Sequence, residues 1–320
     1  MNAVSAPELV TLGETMALLR SSSVGSLQHA RSMDVGIGGA ESNVAIGVAR
    51  LGHRCAWMGR LGSDSLGDLV ERELRAEDLT LGVVRDAQSP TGLMLKESRT
   101  AEHRRVWYYR AGSAGSRLCP SDLDEVLVSS ARILHVTGIT PALSASAAAA
   151  VERAVDVAVT HGVQVTFDVN YRAALWSRER ASATLTSLAE RADVIFGSPD
   201  ELALLTQAPQ ERDVGTLLAA LARPGRVVVA KLGAQGAEAE EAGARVRQAA
   251  VDIDAVDTVG AGDAFVAGYL SEMLRAAPLA ERMATAVRTG AFACLAPGDW
   301  EGLPTRAELG LLGAEEAVTR

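Results

Sequence analysis

Residues 257–265 read Asp-Thr-Val-Gly-Ala-Gly-Asp-Ala-Phe, and the run Gly260, Ala261, Gly262 ahead of Asp263 has the makings of an anion site. Glycine loses more conformational freedom on folding than any other residue, so clustered glycines mark backbone that bends sharply or lies close to something. A helical-looking run follows, with a start expected near Ala264. The N–H groups of 260–263 would then lie at the positive end of a helix dipole, a setting suited to a phosphoryl group gaining charge. Asp263, at the mouth of that hole, could take the proton of an attacking hydroxyl. The simpler alternative is a glycine turn in which Asp263 only caps the helix.

Other reactive side chains follow short apolar runs. Asp168 and Asn170 come after one such run, Ser198 and Glu201 after the next, and Lys231 and Gly233 after another. Tyr108 and Arg110 stand two apart, a spacing that puts both on one face of a strand, and Arg172 follows a further run. Arginines converging on one cleft suit a carboxylate, which a guanidinium grips through two parallel N–H groups; a neutral sugar asks for Asn and Asp partners. The alternative pairs both arginines with surface acids. Lysine occurs only at Lys96 and Lys231, so a lysine near a ligand would stand out.

Elements must bring these residues together. Strands are expected at 8–14, 54–62, 132–138, 163–170, 193–198 and 226–233, each apolar and rich in β-branched residues. Helices are expected at 38–52, where Val44, Val48 and Leu51 recur at helical spacing, at 63–79 with a Ser63/Asp64 start, and in the Ala-rich 142–160. Near-continuous apolar strands alternating with helices imply a mainly parallel sheet covered on both faces. In such a sheet ligands gather beyond the C-terminal strand ends, where the residues above fall. Segments 15–36 and 89–112 alternate polar and apolar residues without a helix and read as antiparallel ribbons, a flap beside an otherwise single domain spanning 1–320. The first six residues and the last eight or so read as frayed ends.

Composition narrows the function class. Hydrophobic content of 48% with 22% charge is that of a globular chain, and a net charge of −9 argues against nucleic acid as a partner. No apolar run reaches the roughly 18 residues of a membrane span, and the N-terminus lacks signal-peptide character, so a cytoplasmic protein is expected. Cys55, Cys119 and Cys294 are scattered and read as buried thiols, and the five histidines form no metal-site spacing. The first strand is followed by Gly13-Glu14-Thr15 rather than G-x-G-x-x-G, against a dinucleotide-dependent dehydrogenase, and a P-loop is absent.

The string 257–265, together with Gly-Ile-Gly-Gly-Ala-Glu-Ser-Asn at 36–43 and the helix after it, resembles the two signatures of the ribokinase-like (PfkB) carbohydrate kinases, in their order. The resemblance covers nearly the whole chain. It implies a three-layer α/β/α ribokinase-like fold with a mainly parallel central sheet and a small β lid, with ATP and Mg²⁺ as cofactors. Asp263 matches the family's base and Gly260, Ala261 and Gly262 its anion hole; Gly38, Gly39 and Asn43 match positions that hold sugar hydroxyls. Lys231, Gly233, Gly236 and Thr258 match the nucleotide region. Ser198 stands where the family has Asn in Asn-x-x-Glu, while Glu201 keeps the glutamate that organises metal and phosphates.

Within the family, 108–116, 167–176 and 297–309 are similar to the 2-keto-3-deoxygluconate kinases, implying that Tyr108, Arg110, Arg172 and Asp299 hold a sugar acid phosphorylated at its primary hydroxyl. Pro297 departs from the arginine common in that subgroup. A neutral-sugar kinase of the fructokinase or ribokinase type, a 5-dehydro-2-deoxygluconokinase, and a non-catalytic binder of the same fold are the alternatives; an intact Asp263 counts against the last. Exposed flap strands favour a homo-oligomer.

Overall fold

The computed structural model describes residues 6–100, 103–206 and 208–312. Most of the two expected frayed ends therefore lies outside the described residues. The strands run β1 (Leu9–Leu12), β2 (Met16–Ser21), β3 (Met33–Gly38), β4 (Cys55–Gly62), β5 (Thr80–Asp86), β6 (Leu93–Ser98), β7 (Arg104–Tyr109), β8 (Ile133–Thr137), β9 (Gln164–Asp168), β10 (Val194–Gly197), β11 (Val227–Lys231), β12 (Ala237–Glu241) and β13 (Ala244–Gln248).

Nine of them form one sheet in the order β13-β12-β11-β10-β9-β8-β1-β4-β5. Every pairing from β11 to β5 is parallel, and β12 and β13 add an antiparallel edge. From β1 the chain moves outward to β4 and β5, then returns to β8 on the other side and proceeds to β11. The order reverses at β1 and β8, and an open sheet offers its crevice beyond the strand ends at such a point. The helices Ala145–Thr160, Arg178–Arg191 and Val214–Leu221 cover one face, with Phe167, Val136 and Val228 beneath them. The helices Ala40–Arg50, Ser65–Ala76, Ala261–Leu274 and Leu279–Ala293 cover the other, over Trp57, Phe196 and Val229.

The flap strands form a second sheet in the order β3-β2-β6-β7. Its outer pairs are antiparallel, as expected of two ribbons, but the ribbons join through a parallel β2–β6 pairing. Two further expectations are corrected. Gly38 ends β3, so the helix expected from 38 starts at Ala40 behind Gly39. The helix expected near Ala264 starts at Ala261, with Gly260 at the N-cap at φ 77°, so Asp263 sits in the first turn and is not the cap. Cys55 and Cys294 are buried, whereas Cys119 is half-buried.

Residues 264–274 are buried without a break, as a helix apolar nearly all round must be, and the one charge among them, Glu272, pairs with Arg275 and Arg306. A Cβ on Gly47 would come within 2.6 Å of the Ala267 Cβ, so the helices Ala40–Arg50 and Ala261–Leu274 touch closely there. One turn back along each lie Asn43 and Asp263. Core packing between two parallel helices thus sets their N-termini side by side.

Candidate active site

The Asn43 amide donates to Asp263 Oδ2 at 2.9 Å, one turn above that helix contact. Withdrawal from water raises the Asp263 pKa to about 7; Asp168 pushes it further up, against the Asn43 hydrogen bond and the Lys231 and Arg172 charges. The Gly262 and Asp263 N–H groups lie in the first helical turn and have no intrahelical acceptor. Ala261 departs from the expected anion hole, because its N–H turns back to the Thr258 carbonyl at 3.3 Å. Gly260 is required twice over. Its φ is left-handed, and a Cβ there would lie 1.9 Å from the Asp299 carbonyl oxygen.

Lys231, ending β11, puts its ammonium 2.6 Å from Asp168 Oδ2. Burial opposes that charge, but Asp168, Glu201 and Asp263 outweigh it and hold the lysine pKa above its ordinary value. The second Asp168 oxygen, Oδ1, is buried without a hydrogen-bond partner. Glu201 accepts from the Tyr171 N–H at 3.0 Å and the Ser198 N–H at 2.8 Å. In return the Ser198 hydroxyl accepts from the Glu201 N–H, a capping box on the helix Pro199–Ala203. Ser198, where the family has asparagine, is thus engaged in ordering that turn.

Lys231, Gly233, Gly236, Thr258, Ala261 and Gly262 line a cavity of about 640 Å³ together with the apolar Val251, Ile253, Phe265, Val287 and Ala291. Apolar walls with a few polar groups at one end are what a flat heteroaromatic ring with a charged tail requires.

Across the helix N-terminus lie the residues expected to hold an acceptor. The Tyr108 ring is half-exposed; withdrawal of its hydroxyl from water raises the pKa, Asp299 and Asp263 add to this, and Arg172 and Arg110 oppose it. Those four residues therefore share the space around one phenol. Gly38 fits because a Cβ there would lie 2.6 Å from Asp299 Oδ2, and a Cβ on Gly39 would strike the Glu14 carbonyl. Asp299, for all that Pro297 precedes it, stands in the cleft. Burial raises its pKa, and Lys96 opposes this.

The arginines are not equivalent. β7 ends at Tyr109, so Arg110 lies just past the strand rather than on its face, with its guanidinium 5.7 Å from the Tyr108 ring centre. Its Nε and Nη2 both reach Glu14 Oε2, at 2.7 and 2.6 Å, and Glu14 is buried and also bonded by the Ser113 hydroxyl. Arg172 is half-exposed, bonded to Asn170 Oδ1 at 2.6 Å. Asn170 itself holds a φ of 42° just beyond β9.

Sequence reasoning placed Asp168 at a strand end where ligands gather without giving it a role, and gave no site role to Glu14, Lys96 or Asp257. Glu14 and Asp168 follow or end β1 and β9, so the strand-end rule was the signal that could have found Glu14. Lys96, rare as a lysine here, is buried between Asp257 and Asp299.

The pattern of the pfkB family carbohydrate kinases matches residues 6–306. The 2-dehydro-3-deoxygluconokinase of Bacillus subtilis is 35% identical over 316 residues, which span 97% of this chain and 97% of that protein. The 2-dehydro-3-deoxygalactonokinase of Haloferax volcanii is 32% identical over 317 residues, 98% and 99% of the two chains. The crystal structure of a PfkB protein from Polaromonas sp. JS666 superposes with a TM-score of 0.84 at 36% identity, covering 95% of this chain and 99% of that one. With the strand-order reversal, the glycine-led helix and the apolar cavity already in place, these matches make the chain a member of the pfkB family of carbohydrate kinases.

Proposed function

We propose that this kinase transfers the γ-phosphoryl group of ATP to the primary hydroxyl of 2-keto-3-deoxygluconate, giving the 6-phosphate. The observation that carries the transfer is a carboxyl with a pKa near 7 at a helix N-terminus, close to the half-buried Lys231 that lines a largely apolar cavity. ATP lays its base in that cavity and its phosphates toward Lys231 and the Gly262 N–H. Asp263 takes the hydroxyl proton as that oxygen attacks phosphorus, and the fixed first-turn amides stabilise the spreading charge. A pKa near 7 suits this base, since about half of it is free to accept at neutral pH and it is still basic enough to pull.

Magnesium fits the donors present. Among the described residues no three acidic, His or Cys groups cluster to hold a metal, but Mg²⁺ is commonly held by one or two carboxylates plus phosphates and water. Asp168, with its unpartnered buried oxygen, and Glu201 would hold it, and its charge would neutralise the phosphates. Lys231 meanwhile keeps Asp168 aimed.

For the acceptor, Arg172 and the outer edge of Arg110 meet the sugar carboxylate, Tyr108 lies over it, and Asn43, Asp299 and the backbone at Gly38 and Gly39 take hydroxyls. The names of the Bacillus and Haloferax relatives support a sugar acid. One observation favours a second reading: Glu14 pairs with Arg110 and Glu201 stands 3.9 Å from Arg172, so both guanidiniums already have a carboxylate partner, which suits a neutral sugar better than two free arginines would. The experiment that decides is ADP release with MgATP across 2-keto-3-deoxygluconate, its galactonate epimer, 5-keto-2-deoxygluconate, fructose and ribose. Turnover of the 3-deoxy sugar acids alone is expected. Faster turnover of fructose or ribose would keep the kinase and retire the arginines as acceptor ligands.

A further inference from the structure

We infer that Lys96 is a positioning residue of the transfer site, whose one buried ammonium fixes both the loop before the anion hole and Asp299 to the small sheet. Lys96 lies on β6 and is 1% exposed. A buried ammonium is costly unless carboxylates surround it. Here two do: Asp257 Oδ2 at 2.6 Å and Asp299 Oδ1 at 3.3 Å. Asp257 opens the loop that leads to Gly260, and its carboxylate also takes the Val259 N–H at 3.2 Å and the Gly298 N–H at 3.3 Å. On the next strand, Arg104 stands 3.6 Å from Asp257 Oδ1 and donates to the Val256 carbonyl.

Two cations from β6 and β7 therefore hold residues 256 and 257. Three residues on, Gly260 lies against the Asp299 carbonyl, so the loop, Asp299 and the small sheet form one closed circuit with Lys96 at its centre. The circuit also orients Asp299. Oδ1 faces the ammonium, and Oδ2 faces Gly38, on the acceptor side. Without the lysine, Asp299 would lose the ammonium that offsets Glu301 and Asp257, and would hold its proton to higher pH.

The inference deepens the reading of Asp299 as an acceptor ligand and rests on it for one of its two effects. The test uses whichever acceptor the wild type turns over fastest, so it does not depend on the sugar's identity. Lys96→Met should lower kcat tenfold or more through the loosened loop, and Lys96→Arg should restore most of it. Acceptor binding by calorimetry, in an Asp263→Asn background where the base no longer titrates, reports on Asp299. The pH at which binding is half lost should rise by about one unit in Lys96→Met. It should fall in Asp257→Asn, which leaves Asp299 sole claim on the lysine. A role in folding alone gives no such pair of opposite shifts. Wild-type kcat in Lys96→Met, or unshifted midpoints in both variants, overturns the proposal. Should Lys96→Met fail to fold, the direction of the Asp257→Asn shift decides. Unimpaired acceptor binding by Asp299→Asn would instead remove Asp299 from the acceptor site, and the Lys96→Met rate would still judge the loop.

Discussion

As the proposed base, Asp263 sits where the fold prefers it neutral. Its pKa of about 7, against an ordinary 3.8, means that the folded protein binds the proton more tightly than the unfolded chain. Its contribution to stability is therefore full at pH below 3.8 and is lost as pH rises through about 7, while kcat should rise over the same upper range and level off above it. Asp263→Asn separates the two demands. Turnover should fall by about 10²–10⁴, the usual worth of a general base. Thermal unfolding should show the variant matching the wild type at low pH and melting higher at pH 8, because the amide has no charge to bury. A variant less stable than wild type at pH 8 would contradict the burial argument; near-normal kcat would remove Asp263 as base. Arg172 carries a different expectation. A charged hydrogen bond to a carboxylate contributes about 1.5–3 kcal/mol, so Arg172→Ala should raise KM for a sugar acid by about ten- to hundredfold and spare KM for ATP. An unchanged sugar-acid KM would leave Glu14-bound Arg110 as the only candidate for the carboxylate.

At the scale of elements, two glycines two residues apart should behave oppositely. Gly260 needs its left-handed φ and has the Asp299 carbonyl 1.9 Å from where a Cβ would sit; Gly262 is helical, and its Cβ would meet only the Lys231 ammonium at 3.6 Å. Gly260→Ala should therefore destabilise the fold by more than about 1 kcal/mol. Gly262→Ala should be as stable as wild type or up to about 1 kcal/mol more so, since alanine suits a helix better, yet lose turnover because its methyl intrudes where phosphate would lie. Denaturant unfolding beside kcat distinguishes them, and equal stability loss in both would mean that the first turn is not built as described. This turn also shows what the sequence could reveal. Strands β1 and β8 to β11 were legible because strands buried on both faces are apolar throughout. The helix start was placed three residues late because Gly260 and Gly262 read as breakers, though one is the cap and the other is tolerated inside. β12 and β13 went unread because their alternating charges look like loop; in register they pair Glu240 with Arg245 and Glu238 with Arg247. The parallel β2–β6 pairing and the Glu14–Arg110 pair join segments more than seventy residues apart, which no local pattern encodes.

At the scale of the whole molecule, the small sheet has two faces with different work. Lys96, Arg104 and Tyr108, at alternate positions, point to the site. By register, the opposite face carries a row Val35–Leu19–Leu95–Trp107 beside a row Ile37–Ala17–Leu93–Tyr109. Val35 is 60% exposed, Tyr109 61% and Trp107 39%, so much of this apolar face meets water in a single chain. Contiguous apolar area of this kind is rare on a monomer, and a sheet face that meets its own copy about a twofold axis is complementary to itself without further fitting. The prediction is a homodimer joined through the small sheets, whose association would also steady the strands bearing Tyr108 and Lys96. Light scattering across micromolar concentrations should give twice the 33.4 kDa chain mass. Trp107→Glu combined with Val35→Glu should give a folded monomer with weakened acceptor binding. A wild type that scatters as a monomer at every concentration would show that this face serves something other than a second copy.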